Sequence, residues 1–112
     1  MLDPLSVKLD SYMTLLSARE KLVSSNIANV DTPGYKTKDF DFDSEFQSAM
    51  QSGRSAPLAS DVPGLRVKND GNNVDLDRES RLLAENGLRF SIASNIVRNQ
   101  LKAIRAAITG GT

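Results

Sequence analysis

The stretch Ser25-Asn26-Ile27-Ala28-Asn29-Val30-Asp31-Thr32-Pro33-Gly34-Tyr35-Lys36 brings a long apolar-striped segment to a stop. Proline fixes its own φ and pushes the residue before it out of the helical region, while glycine tolerates positive φ. Thr32-Pro33-Gly34-Tyr35 therefore reads as a type II turn, and the helix in front of it ends near Val30. The stretch is a junction between two kinds of structure.

Upstream of it, Asp3 followed by Pro4 is a helix start: the carboxylate caps orphan N–H groups, and proline suits the first helical position. Leu2, Leu9, Leu16, Val23 and Val30 recur at every seventh position, and Leu5, Tyr12, Arg19 and Asn26 form a second row that turns polar toward its end. Met13, Leu15, Leu22 and Ile27 widen the stripe beyond what a two-stranded coil uses, which suits contact with more than one helix. The spacing predicts a helix over residues 4–30. Asn26 and Asn29 have two readings: local hydrogen bonding at a helix end, or, for Asn26, a buried polar residue that fixes register among packed helices.

Downstream, residues 35–43 alternate polar and aromatic side chains, as an extended segment does, with Phe40 and Phe42 on one face. Ser44 with Gln47 resembles a capping box and predicts a short helix over 44–51, ended by Gly53. Residues 53–73 read as a long connection with one short strand at Leu65 to Lys68. Asp70, Asn72, Asp75 and Asp77 suggest a calcium loop, but that motif needs alternate oxygen ligands leading into its glycine, and Gly71 has no such run before it. A turn followed by a cap explains the same residues.

Asp75 is the N-cap of a second long helix over 75–109, with Asp77 and Glu79 placing negative charge in its first turn. Leu83, Phe90, Val97 and Ile104 form its heptad row, Leu101 and Ile108 a neighbouring one, and Leu82, Leu88, Ile92 and Ile96 broaden the face. Arg98, Lys102 and Arg105 load the later turns, and Gly110-Gly111 stops the helix. The Asn86-Gly87 pair costs about 1 kcal/mol relative to Ala in mid-helix and marks a bend. The expected fold is mainly α: an elongated, coiled-coil-like antiparallel pair of long terminal helices (1–30 and 75–112) around an irregular middle (31–74) with one short helix.

Composition narrows the function. Fourteen basic and fourteen acidic residues cancel, so there is no electrostatic footprint for nucleic acid or for direct lipid binding. The absence of Cys and His removes thiolate and imidazole metal ligands and the side chain best suited to proton transfer near neutral pH, so no catalytic, metal, cofactor or small-molecule substrate site is assigned. Asp39, Asp41 and Asp43 are the one carboxylate cluster beside aromatics, and a solvated strand edge accounts for them. No run approaches the roughly 20 apolar residues of a membrane span, and Met1-Leu2-Asp3-Pro4 lacks the features of a cleaved secretion signal. Two amphipathic helices alone leave apolar stripes exposed, so the isolated chain is expected to be partly disordered at its ends and to order on assembly. If two such surfaces join copies head to tail, a helical tube or a ring results.

Asn26 through Lys36 resembles the N-terminal signature of the bacterial flagellar axial proteins, the family of rod, hook and filament-junction subunits. Asp39-Phe40-Asp41-Phe42, Val74 through Glu79, Leu83 through Asn86 and Ile104 through Ile108 resemble the proximal-rod branch of that family, with Val30 where the signature often has Ala and with a short middle segment. The resemblance implies a structural subunit of the basal-body rod in the periplasmic space, exported by the flagellar type III apparatus without a cleaved signal peptide. It implies that the terminal helices form an inner coiled-coil layer of a drive shaft and export channel. The expected partners are copies of the chain, other rod subunits, a basal rod adaptor and the export gate. The junction residues are then Asn26, Ile27, Ala28, Asn29, Asp31, Thr32, Pro33, Gly34 and Tyr35, and the subunit-packing residues Leu9, Leu16, Val23, Val30, Leu83, Phe90, Val97, Leu101, Ile104 and Ile108. A sibling rod subunit, or a cytoplasmic helical adaptor or export chaperone, is the alternative; detection in purified basal bodies rather than in the cytosol separates the last two from the first.

Overall fold

Asp3 opens the first helix: its carboxylate accepts a 2.7 Å hydrogen bond from the Ser6 N–H, with Pro4 in the first turn. That backbone bond holds the Asp3 pKa below its ordinary value. The computed structural model describes residues 3–53 and 57–110, so Leu2 and Gly111 lie outside the described residues. In chain order the elements are α1 (Pro4–Ala28), β1 (Lys38–Asp39), α2 (Phe42–Ser52), β2 (Ser60–Asp61) and α3 (Leu76–Gly110).

α1 stops at Ala28, two residues short of the expected end, because Asn29 takes over as cap. Its side-chain amide donates to the Ser25 carbonyl at 2.8 Å, and its Oδ1 accepts from the Thr32 hydroxyl at 3.0 Å. The turn follows as expected, with Gly34 at φ 75° and the Tyr35 N–H donating to the Thr32 carbonyl at 3.2 Å. α2 begins at Phe42 rather than Ser44 because Asp41, whose carboxylate accepts from the Ser44 N–H, is the cap; Gly53 ends it in the left-handed conformation. The extended segment shrinks accordingly to Lys38–Asp39.

The strand expected at Leu65 to Lys68 does not form. The Lys68 N–H donates to the Asn72 carbonyl and the Gly71 N–H to the Lys68 carbonyl, so those groups are committed to a turn. β1 instead pairs antiparallel with β2, Lys38 opposite Asp61 and Asp39 opposite Ser60. α3 starts where expected, with the Asp75 carboxylate accepting from the Asp77 and Arg78 N–H groups. It runs on through Gly110, which is its last residue rather than its stop.

α1 and α3 lie antiparallel, since Ser6 reaches Gln100 while Asn26 reaches Glu79. α2 packs on α1, with Arg89 of α3 over its Phe42 ring at 5.8 Å, and the small core sits there: Leu15, Leu16, Phe40 and Phe42 are buried with Tyr12, Ala18, Leu22 and Phe46 against them. Tyr12 meets Phe42 and Phe46 edge-on at 5.4 and 5.5 Å, a favoured geometry for ring quadrupoles. The molecule measures 69 × 27 × 17 Å with a radius of gyration of 18.1 Å. A compact chain of this length has a radius near about 13 Å, so the elongated mainly-α architecture is what forms.

Candidate assembly interface

The junction is built as a three-way clamp. Asn26 is fully buried near the end of α1; its amide donates to the Lys38 carbonyl at 2.9 Å and to Glu79 Oε1 at 2.7 Å. Its Oδ1 accepts from the Tyr35 hydroxyl at 2.9 Å and from the Lys38 N–H at 3.1 Å. One side chain thus ties α1 to the turn, to β1 and to the first turn of α3, with every polar atom satisfied. Of the two readings of Asn26, the structure shows the buried polar residue between packed helices, with its bonds made inside the chain.

Glu79 is also fully buried, so one of the two charges expected in the first turn of α3 is a core carboxylate. It is tolerated because Arg78 Nη1 lies 2.5 Å from Glu79 Oε2, while Arg78 Nη2 reaches Asp39 Oδ2 at 2.7 Å. Arg19 adds a second cation to Asp39 at 3.1 Å, although its Nε has no hydrogen-bond partner. Burial works to lower the Arg78 pKa, but hydrogen bonds and charge from Glu79 and Asp39 outweigh it and the net direction is upward. Asp39, expected on a solvated strand edge, is therefore an ion-pair residue, Asp41 a cap, and Asp43 exposed in the first turn of α2.

The loop before α3 closes the clamp from the other side. Asn72 is fully buried, and its amide donates to the Asn29 and Thr32 carbonyls at 2.8 and 2.9 Å while its Oδ1 accepts from the Val74 N–H at 2.8 Å. Asn73 Oδ1 accepts from the Thr37 N–H at 2.7 Å, and the Gly34 N–H donates to the Asp70 carbonyl at 2.9 Å. Gly71, at φ 86°, approaches so closely that a Cβ there would sit 3.3 Å from Gly34 Cα. Of the residues considered for calcium, Asp70, Asn72 and Asp75 are engaged in this turn-and-cap arrangement and Asp77 is exposed beside Arg81; no group of metal-holding side chains occurs among the described residues. Outside the clamp, Asp31, Thr32, Pro33 and Gly34 remain on the surface.

Along the hairpin, α3 meets α1 through Glu79, Asn86, Ala93 and Gln100, which recur at every seventh residue. Glu79 bonds Asn26, Asn86 donates to the Leu16 carbonyl at 2.8 Å, buried Ala93 faces the same cleft as Leu9, and Gln100 bonds Ser6. This row is polar or small. The apolar heptad row predicted to pack lies beside it and stays open: Leu83 and Phe90 are each 40% exposed, Leu101 57%, Ile104 53% and Ile108 70%, with Val97 half-buried. On α1 the reverse holds. Leu9, Leu16 and Val23 are buried within the chain, and Val30 is half-buried at the junction. Residues 101–110 continue past the start of α1, all of them exposed.

Comparisons with known proteins bear on what such a molecule is. Residues 13–36, from mid-α1 through the turn, match the family model described as "Flagella basal body rod protein". The "Flagellar basal body rod protein FlgB" of Salmonella typhimurium is 32% identical over 137 aligned positions, which take in 99% of this chain and 99% of that protein. The chain belongs to the FlgB family of flagellar basal body rod proteins. The FlgB protein of Escherichia coli K12 is likewise 32% identical with 99% of each chain covered, and that of Borrelia hermsii 31% identical over 87% of this chain. A FlgB-family member is a structural subunit of the flagellar rod. The alignment with the Salmonella protein is longer than the 112 residues here, so that relative carries segments this chain lacks.

Within this FlgB-family chain, the matched stretch contains Asn26 and Tyr35 but stops short of the groups that complete their clamp, namely Asp39, Asn72, Asn73, Arg78 and Glu79. Sequence reasoning missed these five as partners of the junction. Their separations of 13 to 53 residues from Asn26 carry no periodic signal; the one available trace was the seven-residue spacing of Glu79, Asn86, Ala93 and Gln100 beside the apolar row.

Proposed function

We propose that the chain builds the wall of the proximal rod, a drive shaft and export channel, by packing the open apolar row of α3 against neighbouring subunits. The observation that carries this reading is the offset between the two rows of α3: the polar row is consumed on α1, and Leu83, Phe90, Leu101, Ile104 and Ile108 are left facing outward. Contiguous apolar surface of this length on a small protein marks an interaction site. Copies of the chain, other rod subunits, a basal rod adaptor and the export gate are the neighbours this reading names, with the surface of Asp31 to Gly34 as a further contact. It places the protein in the periplasmic part of the basal body, reached without a cleaved signal peptide. It assigns no catalytic, cofactor or lipid-binding role; no described helix is long and apolar enough to cross a membrane.

The test is complementation of a strain lacking the protein. Ile108→Asp should leave cellular protein level unchanged, abolish swimming and yield basal bodies without a rod. Normal swimming by that variant, or confinement of the wild-type protein to the cytosol and its absence from purified basal bodies, refutes the assignment.

A further inference from the structure

We propose that the free end of α3, residues 101–110, docks into the groove between α1 and α3 of a second copy, making a head-to-tail contact; this rests on the rod-subunit reading above. The groove holds about 470 Å³ and is walled by Leu16, Ser17 and Glu20 on one side and Leu83, Gly87 and Phe90 on the other. A Cβ built at Gly87 meets nothing within 4 Å, so the missing side chain leaves a notch in the α3 wall. The docking element is a bare helix about 15 Å long whose exposed Leu101, Ile104 and Ile108, three and four residues apart, form one apolar stripe.

Charge selects the orientation. After Glu85 the chain contains Arg89, Arg98, Lys102 and Arg105 and no acidic residue, while the whole chain is neutral, so everything before this segment is net acidic by the same amount. Pairing two free ends with each other sets basic against basic. Laying the free end on the body of another copy sets basic against acidic, which is the favoured arrangement. Size chooses between the two clefts that flank the α1–α3 seam. The cleft over Leu9, Tyr12, Ile92 and Ala93 holds about 230 Å³, half the other, and Arg89 on its rim is already paired with Glu85 at 2.7 Å. The larger groove carries Glu20, which forms no salt bridge among the described residues and accepts only a 3.4 Å bond from Asn86, alongside Lys21. Because the stripe and the groove are different surfaces, the contact is heterologous and propagates to a ring or a helix rather than closing as a dimer.

The natural sequence has no cysteine, so thiols can be placed at will. Within one α3, positions 87 and 104 are about 25 Å apart along the axis, too far for an internal disulfide. Basal bodies are purified from cells carrying the Gly87→Cys/Ile104→Cys double variant and from each single variant, then oxidised or treated with a short bis-maleimide. Covalent dimers and higher multiples of this chain in the double variant, and none in either single variant, are expected. Cross-linking by Ile104→Cys alone, capture of a different protein at position 104, or rod-incorporated double variant that stays monomeric overturns the inference while leaving the rod function intact. Should the double variant fail to enter the rod, Ser17→Cys with Ile104→Cys reads the same groove from its other wall. Absence of the wild-type chain from basal bodies removes both the function and this contact.

Discussion

At the junction end of the hairpin, α1, β1, the loop at residues 69–74 and the first turn of α3 share fully buried Asn26, Asn72 and Glu79, and each of them reaches at least one other segment. At the opposite end, α3 runs ten residues beyond α1 with every one exposed and its apolar ridge uncovered. The difference separates two uses of the same helix. Where polar groups are buried, removing one leaves its partner without water, so the penalty falls on folding. Where apolar groups are exposed, removing one barely changes the monomer, so the penalty falls on whatever covers the ridge.

Substitutions at the two ends can break or sharpen that contrast, taken here by expected loss of folding stability. Arg78→Met removes the cation shared by Asp39 and Glu79 and leaves a buried carboxylate paired only with Asn26. About 3 kcal/mol or more is expected, read as a lowered urea midpoint. Little change would mean the ion pairs are dispensable to the fold. Asn72→Ala leaves the Val74 N–H without its acceptor and takes one of two hydrogen bonds from each of the Asn29 and Thr32 carbonyls, and should cost about 1–3 kcal/mol in thermal melting. Gly71→Ala forces a side chain into the left-handed region and toward Gly34 Cα, for about 1–2 kcal/mol; a neutral result would show that the loop and the turn move apart freely. Leu101→Asp, at the free end, should shift monomer stability by no more than about 0.5 kcal/mol while reducing rod incorporation to background; a large stability loss would erase the contrast.

The smallest effect belongs to Asp3. Its folded pKa is depressed by the Ser6 N–H bond, so the stabilisation it gives α1 is present above the unfolded value and disappears as pH falls through the folded one. Amide exchange at Leu5 and Ser6 should accelerate on acidification in the wild type and be insensitive to it in Asp3→Asn. A pH-independent wild type would show that the cap contributes nothing.

Much of the architecture was legible because its signals are local. Asp3-Pro4, Asp75 and the Pro33-Gly34 turn each act through hydrogen bonds to residues two to four positions away, and all three stand where expected. Where two local signals competed, the reading slipped. Ser44 with Gln47 looked like the cap of α2, but Asp41 reaches the Ser44 N–H and adds two residues to the helix. The C-terminal glycine pair looked like a stop, yet Gly110 continues α3. The pairing of β1 with β2 could not be read at all, since each is two residues long and α2 lies between them in the chain.

By itself the sequence determined where the long helices begin, that the first one ends ahead of the Pro33-Gly34 turn, that their apolar residues lie in rows, and which family the chain belongs to. Only the tertiary structure decided which row of α3 turns toward α1, that Glu79 is buried with Arg78, and that Asn72 holds the turn after α1. The physical reason is that a periodic pattern specifies a face but not its partner. Burial of Glu79 depends on its neighbour Arg78 and on an amide from Asn26, 53 residues away, while Asp39 takes the same Arg78 from 39 residues away; with those in place the polar row can go inward and leave the apolar one for another molecule.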